Sequence, residues 1–458
     1  MTARITIVGG GSTHWTPNLL ADFAGSDHLK DAKVVLHDLN AESLPPMCRV
    51  GENIAASRGI GLEVTATTDL AQALNGAEFV IAAFSVGGFD TMAHDLEIPA
   101  RYGVRQPVGD SVGPGGIFRS LRSIPVLLDI AREVERTAPD ALMMNVSNPL
   151  TALCRAVTKE TAVKTVGLCN ELVGLQFWLS LVFDAPMHEI DPIVAGVNHL
   201  PLVTSLKIGS EDGFELLGKL IEDPSPLEGQ PMWMDPPPQS HWHKLDPSRG
   251  WTKADVFANN RLKLEVLKTF GVLPGSADTH VAEFFPWFVT AASDFGRDWG
   301  VHHYGIEGHR KDKSDDDEWA AQLEKGEEIP EWLISGELVA PILDALITGK
   351  SASFPMNLPN EGQVTDLPDG VVVECIGRTE DGTVRPRDVA SAGAAADLLR
   401  RVVASQEMTV EAALTGDGRT LLQAMLIDPV CGSLPLEYVV AMRDEMLEQM
   451  SAWLPAFA

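Results

Sequence analysis

The sequence of 458 residues has little of several features, and each shortage excludes a class of protein. No apolar run reaches the roughly 20 residues that a membrane-spanning helix needs. Only five cysteines are present; they are widely scattered, as is typical of free thiols rather than of a disulfide framework. The N-terminus enters a strand pattern at once, without the features of a secretory signal. We therefore expect a cytoplasmic protein.

Positive charge is also scarce. Lys and Arg together number 35 against 64 Asp and Glu, which gives a formal net charge of −29. Phosphate backbones and anionic lipid surfaces are held by an excess of Lys and Arg. The composition thus argues against a nucleic-acid partner and against membrane docking. With 45% hydrophobic and 22% charged residues, the chain has the composition of an ordinary globular protein.

The first 150 residues alternate between strand and helix patterns. Short, nearly continuous apolar runs predict buried strands, and such strands separated by helices indicate a parallel sheet covered on both faces. The predicted strands are Arg4–Val8, Lys33–Asp38, Glu78–Ser85, Leu142–Val146 and Ala162–Gly167, and the predicted helices include Pro17–Ser26, Leu44–Arg58 and Arg119–Glu135. Between about residues 222 and 250 the chain becomes proline-rich and loses periodicity, which predicts a loop or insertion.

The turn after the first strand is the first candidate site. It contains Gly9, Gly10, Gly11 and Ser12 just before a predicted helix. Glycines there allow a close approach of a pyrophosphate, which the helix N-terminus attracts. The full G-x-G-x-x-G pattern would need glycine where His14 stands, so the motif is incomplete. Asp38 ends the second strand, where an acidic residue can bind an adenosine ribose. Together these residues favour NAD over NADP.

Three further segments carry residues capable of chemistry. Cys169 and His199 could ligate a transition metal, but 30 residues separate them, and spacing alone equally allows a buried thiol and a structural histidine. The loop Gly109–Gly116 contains Asp110, which could touch a sugar or a cofactor or could simply cap a helix. The segment Asp278–Glu283 holds three ionisable side chains, one of which could be a general base or, in the case of Asp278, a helix cap.

These motifs occur in the order found in one family of enzymes. The matching segments are Ile7–Thr13, Asp38, Asp95–Pro99, Gly109–Gly116 with Arg119–Arg122, Ser147–Pro149, Gly167–Asn170, Asn198–His199, Ala277–Glu283 and Asp428–Pro429. On these residues the chain resembles glycoside hydrolase family 4, the glycosidases that use NAD and a divalent metal. The resemblance covers nearly the whole chain.

The resemblance implies a fold like that of lactate and malate dehydrogenases. We expect a Rossmann-type dinucleotide-binding domain over residues 1–195, followed by an α+β catalytic and oligomerisation domain over residues 196–458 that contains the proline-rich insertion. The implied reaction is hydrolysis through NAD-mediated transient oxidation at C3 of the sugar, loss of the C2 proton, elimination, and addition of water. A small carbohydrate is thus the expected partner. Family members are usually dimers or tetramers, and the apolar C-terminal segment Leu434–Leu454 is a candidate interface.

The resemblance also assigns roles to particular residues. It makes Cys169 and His199 ligands of a divalent metal, with manganese as the expected ion. Asn148, Asn198 and His280 are expected to bind substrate. Asp110 is a candidate acid, Asn170 takes the place of a His or Asp that many α-specific members have beside the metal cysteine, and Asp278 is the candidate base, with His280 as the alternative.

Substrate and reaction class leave alternatives open. Phosphate-specific members place an arginine where this chain has Met92, and a thioether cannot pair with a phosphate dianion. We therefore expect an α-linked, non-phosphorylated glycoside, although Asn170 resembles the β-specific 6-phospho members. Arg101, Arg105 or Arg119 could instead meet an anionic group at C6. An NAD-dependent hydroxy-acid dehydrogenase or a nucleotide-sensing protein without turnover would share the fold.

Overall fold

The computed structural model describes residues 2–231, 252–326 and 335–457. Most of the predicted proline-rich insertion, from residue 232 onward, lies outside these residues. The thirteen strands of the described chain belong to one sheet, whose order is β10-β8-β7-β12-β11-β6-β5-β4-β1-β2-β3, with β13 beside β12 and β9 beside β8. One half of this sheet is parallel and the other half is antiparallel.

The N-terminal half is a six-stranded parallel sheet between layers of helices. Its strands are β1 (Arg4–Val8), β2 (Lys33–His37), β3 (Glu63–Thr67), β4 (Phe79–Ala82), β5 (Leu142–Asn145) and β6 (Lys164–Gly167). Its helices are α1 (Trp15–Gly25), α2 (Leu44–Arg58), α3 (Leu70–Leu74), α4 (Gly88–Arg101), α5 (Gly113–Thr137), α6 (Leu150–Glu160) and α7 (Glu171–Phe183). The strand order 3-2-1-4-5-6 is that of a Rossmann fold, which confirms the predicted fold class.

The C-terminal half continues the same sheet with antiparallel strands. These are β7 (Ile190–Val197), β8 (Leu200–Ile208), β9 (Glu211–Asp212), β10 (Leu273–Pro274), β11 (Ala352–Pro359), β12 (Val372–Glu380) and β13 (Thr383–Pro386). The helices are α8 (Gly213–Glu222), α9 (Lys253–Ala258), α10 (Arg261–Phe270), α11 (Asp278–Phe284), α12 (Gly305–Glu324), α13 (Val339–Thr348), α14 (Ala396–Thr415), α15 (Gly418–Ile427) and α16 (Leu436–Gln449). None of the helices in the described part of the chain is both long and apolar enough to cross a membrane.

Hydrophobic burial fixes the helices on the sheet. One core cluster joins β1 and β2 to α1, α2 and α13, and a second joins β4 and β5 to α5, α6 and α16. In α16, Val439, Met442 and Met446 are fully buried in that second cluster. Most of the apolar residues of the expected interface segment therefore pack within their own chain. Leu436 and Tyr438 remain on the surface, with 56% and 49% exposure.

The parallel strands bring five turns to one edge of the sheet. The segments after β1, β2, β4, β5 and β6 all leave the sheet at its carboxyl edge, which is where open α/β sheets bind ligands. The turn between β7 and β8 and the start of α11 approach the same edge from the C-terminal half. Candidate residues that are far apart in sequence are thereby brought together.

Candidate active site and cofactor cleft

The glycine-rich turn after β1 is packed so closely that side chains are excluded. Gly9 has φ +93°, and a Cβ atom there would lie 2.0 Å from the carbonyl oxygen of Ala83. The N–H groups of Gly9 and Gly10 both donate to the carbonyl of His37 at 2.9 Å. A Cβ on Gly10 would lie 2.7 Å from the Cβ of Leu36. The turn thus runs tightly over β2 and β4 and exposes backbone where a pyrophosphate could approach.

The predicted cofactor residues meet in this turn. The N–H of Gly11 donates to Oδ2 of Asp38 at 3.0 Å, and Oγ of Ser12 accepts from the N–H of Trp15 at 3.0 Å, at the start of α1. Asp38 is followed by Leu39, which is 86% exposed and lies beside the ribose-binding position. The tight turn, the helix start and the acidic residue together fit a dinucleotide.

A second group of side chains lies next to this cleft. Asp110, His199 and His280 each offer a ligand atom, and these atoms all lie within 4.8 Å of one another. The rings of His199 and His280 lie against each other with centroids 3.8 Å apart and a tilt of 32° between their planes. The thiol of Cys169, which follows β6, interacts with His199. The structure therefore brings the predicted pair Cys169 and His199 together and adds His280 and Asp110.

Neighbouring side chains orient this group. Oγ of Ser111 lies 2.7 Å from Nδ1 of His199 and donates to Oδ1 of Asp110 at 2.9 Å. Nδ2 of Asn148 donates to Oδ2 of Asp110, also at 2.9 Å. Nδ1 of His280 is buried and has no hydrogen-bond partner among the described residues. A buried ring nitrogen without a partner, beside a carboxylate, an imidazole and a thiol, fits a divalent transition metal.

The electrostatics of the site result from burial and from pairing of charges. Burial by itself would raise the pKa of Asp110, but the neighbouring His199 holds that pKa far below its usual range. Burial would lower the pKa of His199, but Asp110 and Cys169 raise it well above its usual value. Burial raises the pKa of the Cys169 thiol and lowers the pKa of His280. These shifts favour an anionic Asp110 beside a protonated His199, and a metal bound to His199 and the Cys169 thiol would displace protons from both.

Some predicted site residues have other contacts. Both carboxylate oxygens of Asp278 accept backbone N–H groups at the start of α10, from Leu262 at 2.8 Å and Lys263 at 3.2 Å. Asp278 therefore caps α10, a neighbouring helix, whereas the structural alternative was a cap by Asp278 or Thr279 on the helix that this segment begins; the N-cap residue of that helix, α11, is Ala277. Asn198 is 1% exposed, and its amide donates to Glu374 rather than lining the cleft. Asn170 donates to Oε1 of Glu337 at 2.9 Å.

Three acidic residues near the site, Glu171, Glu337 and Glu374, were not predicted from the sequence, and a fourth, Glu283, belongs to the segment predicted to hold a general base. Oε1 of Glu171 lies 4.0 Å from Nε2 of His280. Glu283 accepts the N–H groups of Val108 and Gly109 at 2.7 and 2.8 Å, and so holds the loop that carries Asp110. The other two, Glu337 and Glu374, contact Asn170 and Asn198. The one local signal was the acidic residue within the apolar run of β12, which is Glu374.

A cation, Arg119, also faces the site, and it forms no ion pair with any residue that the structure describes. Nε of Arg119, in α5, is buried without a hydrogen-bond partner among the described residues. Its Nη2 lies 3.5 Å from Oγ of Ser85, just beyond β4. Burial lowers the pKa of Arg119, and Asp110 opposes that shift. Arg119 is thus placed to contact an oxygen of a bound ligand.

Comparison with known proteins identifies the family. Residues 4–184 match the family 4 glycosyl hydrolases, and residues 194–431 match the C-terminal domain of the same family. The chain is 30% identical to an α-galactosidase of Rhizobium meliloti over 99% of its own length and 90% of that protein. It is 28% identical to an α-galacturonidase of Thermoanaerobacterium saccharolyticum, with 98% and 96% of the two chains covered.

Solved structures agree with this assignment. A putative glucosidase of Bacillus subtilis is 27% identical, with a TM-score of 0.84 over 97% of this chain and 100% of that one. Malate dehydrogenase of Plasmodium falciparum is only 9% identical and has a TM-score of 0.54 over 90% and 99% of the two chains, a likeness of fold alone that confirms the predicted dehydrogenase-like architecture. The chain therefore belongs to the family 4 glycosyl hydrolases, the NAD- and metal-dependent glycosidases that the order of its motifs predicts.

Proposed function

We propose that this family 4 hydrolase cleaves α-linked, non-phosphorylated glycosides. The observation that carries the proposal is the group of Asp110, His199 and His280 beside Cys169, placed at the same sheet edge as the glycine-rich turn. When bound, NAD supplies reversible oxidation at C3 of the sugar, and a divalent metal, with manganese as our candidate, supplies Lewis-acid polarisation. The protein residues must hold both groups, orient the sugar and move protons.

The metal would be held by Cys169, His199 and His280, with Asp110 as a further oxygen ligand or as the partner of His199. This assignment moves His280 from substrate binding to metal binding. Because the pKa of Asp110 lies far below its usual range, its carboxyl holds no proton at neutral pH. That state suits a ligand or an anionic partner better than the acid role that the resemblance suggested.

Proton transfer needs a group that is protonated near neutral pH. Burial raises the pKa of Glu337 to about 7, and its carboxyl accepts from Asn170, next to Cys169. We therefore propose Glu337, which lies beside Asn170, as the acid that gives its proton directly to the leaving group. Asp278 stays a candidate base, although its carboxylate caps α10, and Glu171 beside His280 is the alternative. Asn148 and Arg119 would contact substrate or cofactor oxygens.

The similar proteins and one residue of this chain both indicate which kind of sugar the enzyme accepts. The relatives described above are an α-galactosidase and an α-galacturonidase. In this chain Met92, in the first turns of α4, stands where phosphate-specific members have arginine. Matched nitrophenyl α- and β-glycosides, with and without a 6-phosphate, test the proposal in the presence of NAD and manganese. We expect preferred turnover of an unphosphorylated α-glycoside, and a strong preference for the 6-phospho compounds would contradict it.

The proposal also covers the two domains, the oligomeric state and the cellular location of the protein. We propose that residues 1–195 form the NAD-binding unit and that residues 196–458 form the catalytic and oligomerisation unit. We also propose a cytoplasmic homodimer or homotetramer. Support comes from the scattered free cysteines and from the exposed Leu436 and Tyr438 of α16, which offer apolar surface for a second copy.

A further inference from the structure

One rung of the sheet joins its parallel and antiparallel halves. Across four neighbouring strands, Gly167 of β6 pairs with Asn357 of β11, Asn357 pairs with Glu374 of β12, and Glu374 pairs with Gly196 of β7. Cys169 lies two residues beyond one end of this rung, and His199 lies three residues beyond the other. The geometry of the rung therefore affects the distance between the two residues.

Glu374 is a buried acid at the centre of this rung. It is 0% exposed, and its Oε2 accepts from the amides of Asn198 and Asn357, each at 3.3 Å. Within the described residues, its Oε1 has no hydrogen-bond partner, nor do the side-chain oxygens of the two asparagines. No Lys or Arg in the described chain forms an ion pair with it. Buried polar groups with incomplete pairing are costly, so their presence calls for a functional explanation.

The turn that carries His199 has a strained backbone, and residues of other elements hold it in place through hydrogen bonds. His199 has φ +64°, the left-handed conformation that a residue with a side chain adopts at a cost. The preceding residue, Asn198, has two anchors. Its N–H donates to Oγ1 of Thr151 at 3.1 Å, and its side-chain amide donates to Glu374. Glu374 thus acts on the residue immediately before a proposed metal ligand.

Neighbouring groups pack closely against both ends of this rung. A Cβ atom on Gly167 would lie 2.3 Å from Cδ2 of Leu150 and 3.0 Å from Cβ of Asn357, and one on Gly196 would lie 2.1 Å from the carbonyl oxygen of Leu200. Both ends of the rung are therefore packed so closely that no side chain fits at Gly167 or Gly196. Asn357 and Glu374 supply the side chains that bridge between these ends.

We propose that Glu374 is a positioning residue for the metal centre. By holding Asn198 and Asn357 it fixes the orientation of His199 relative to Cys169, which belong to different halves of the sheet. This inference rests on the proposed metal site at Cys169 and His199. It assigns Glu374 no contact with the substrate, the cofactor or the metal.

The test measures manganese affinity directly. Manganese would be titrated into purified Glu374→Leu, Glu374→Gln and wild-type protein, and the free ion followed by electron paramagnetic resonance. Outer residues that orient metal ligands typically contribute about 10- to 100-fold in affinity. We expect Glu374→Leu to weaken manganese binding by at least about tenfold. Glu374→Gln, which keeps an acceptor for both amides, should stay within about threefold of wild type.

Matched controls separate positioning from general damage to the fold. Thr379→Val removes a buried hydroxyl from the far end of the same strand, where it donates to the carbonyls of Lys350 and Ala352. It should leave manganese affinity unchanged. NAD affinity should be unchanged in all the variants. Equal manganese binding by Glu374→Leu and wild type would overturn the proposal, as would equal losses in Glu374→Leu and Thr379→Val.

Two further variants make every outcome decisive. If Glu374→Leu cannot be obtained folded, Asn357→Ala removes one of the two amides and is measured in the same way; normal manganese affinity in that variant overturns the proposal. Cys169→Ser tests the metal site itself. If that variant binds manganese as wild type does, the proposed metal site fails, whereas loss in Cys169→Ser with none in the Glu374 variants refutes only the positioning role.

Discussion

His199 is the residue at which the charges of the site meet. Its ring interacts with the Cys169 thiol, lies 3.4 Å from Asp110 through Nδ1, and lies against the ring of His280 at a tilt of 32°. A divalent ion needs a ring nitrogen that carries no proton, so binding of the ion to His199 would release the second proton of the imidazole, which Asp110 and Cys169 favour. Each residue around His199 then either binds the ion itself or orients a residue that binds it.

Replacing Cys169 with serine should remove the metal and leave the cofactor. A hydroxyl is a poor substitute for a thiolate toward a borderline metal, and no contact of Cys169 reaches the glycine-rich turn. We expect at least a hundredfold loss of manganese-dependent glycosidase activity, with NAD affinity and melting temperature near those of wild type. Full, manganese-stimulated turnover in Cys169→Ser would show that the ligand assignment is wrong.

Glu283 should make stability depend on pH. Burial raises its folded-state pKa from 4.5 to about 8. At this position the folded protein therefore binds more protons than the unfolded chain between those values, and the contribution of Glu283 to stability falls as pH rises from about 5 to about 8. Glu283→Gln keeps the Oε1 acceptor for Val108 and Gly109 but cannot ionise.

Thermal unfolding at a series of pH values tests this difference. The melting temperature of Glu283→Gln should rise relative to wild type by an amount that grows up to about pH 8 and then levels off, equivalent to at most about 1.4 kcal/mol per pH unit. A difference that is independent of pH would mean that Glu283 is ionised in the folded state throughout.

Helix α12 connects the C-terminal half to the cofactor turn. Oγ1 of Thr13 donates to Asp317 at 2.7 Å, and Nδ1 of His14 lies 3.0 Å from Asp316. At the other end of the helix, Asn53 of α2 donates to the carbonyls of Leu323 and Glu324. The helix thus crosses from α2 to the residues that precede α1, next to the pyrophosphate position.

The Thr13–Asp317 contact should contribute to NAD affinity. A hydrogen bond to a charged group is worth about 1–3 kcal/mol, and this one orders the turn before α1. We expect Asp317→Ala to raise the Kd for NAD about fivefold in a calorimetric titration. Asp315→Ala is the matched control, since Asp315 pairs only with Lys311 on the same helix. Equal NAD affinity in the two variants would show that α12 does not support the turn.

Local sequence patterns predicted where helices and strands lie, but they predicted the contacts between these elements less well. The sequence signals for Leu44–Arg58 and Arg4–Val8 match α2 and β1, because burial periodicity and caps act within a few residues. The periodicity of Ala254–Phe270 predicts one helix, but the structure has two helices there, α9 and α10, broken at Asn259 and Asn260. The charge run Lys311–Glu318 predicts a solvated face or turn, and its side chains are indeed exposed or half-buried. It lies within α12, and its contacts with Thr13 and His14 span about 300 residues, which no local pattern reveals.

The whole molecule is organised around the continuity of its sheet. The cofactor turn belongs to the N-terminal half, but the metal group that we propose combines Cys169 with His199 and His280 of the C-terminal half. The glycine-rich turn could be read from a single strand-turn-helix unit. The role of Cys169 came only from the resemblance, and those of His280, Glu337 and Glu374 required the folded chain. The site therefore forms only where the two halves of the sheet meet.

The proposed glycosidase activity is tested most directly by a single reaction in which glycoside cleavage and NADH are both measured. Purified protein would be given an unphosphorylated nitrophenyl α-glycoside with NAD, manganese, both or neither, while nitrophenol and NADH absorbance are recorded together. Because the oxidation at C3 is reversed within each cycle, we expect nitrophenol release that needs both additions and produces no net NADH. Net NADH accumulation without cleavage would indicate a dehydrogenase, and cleavage independent of NAD would contradict the proposed function.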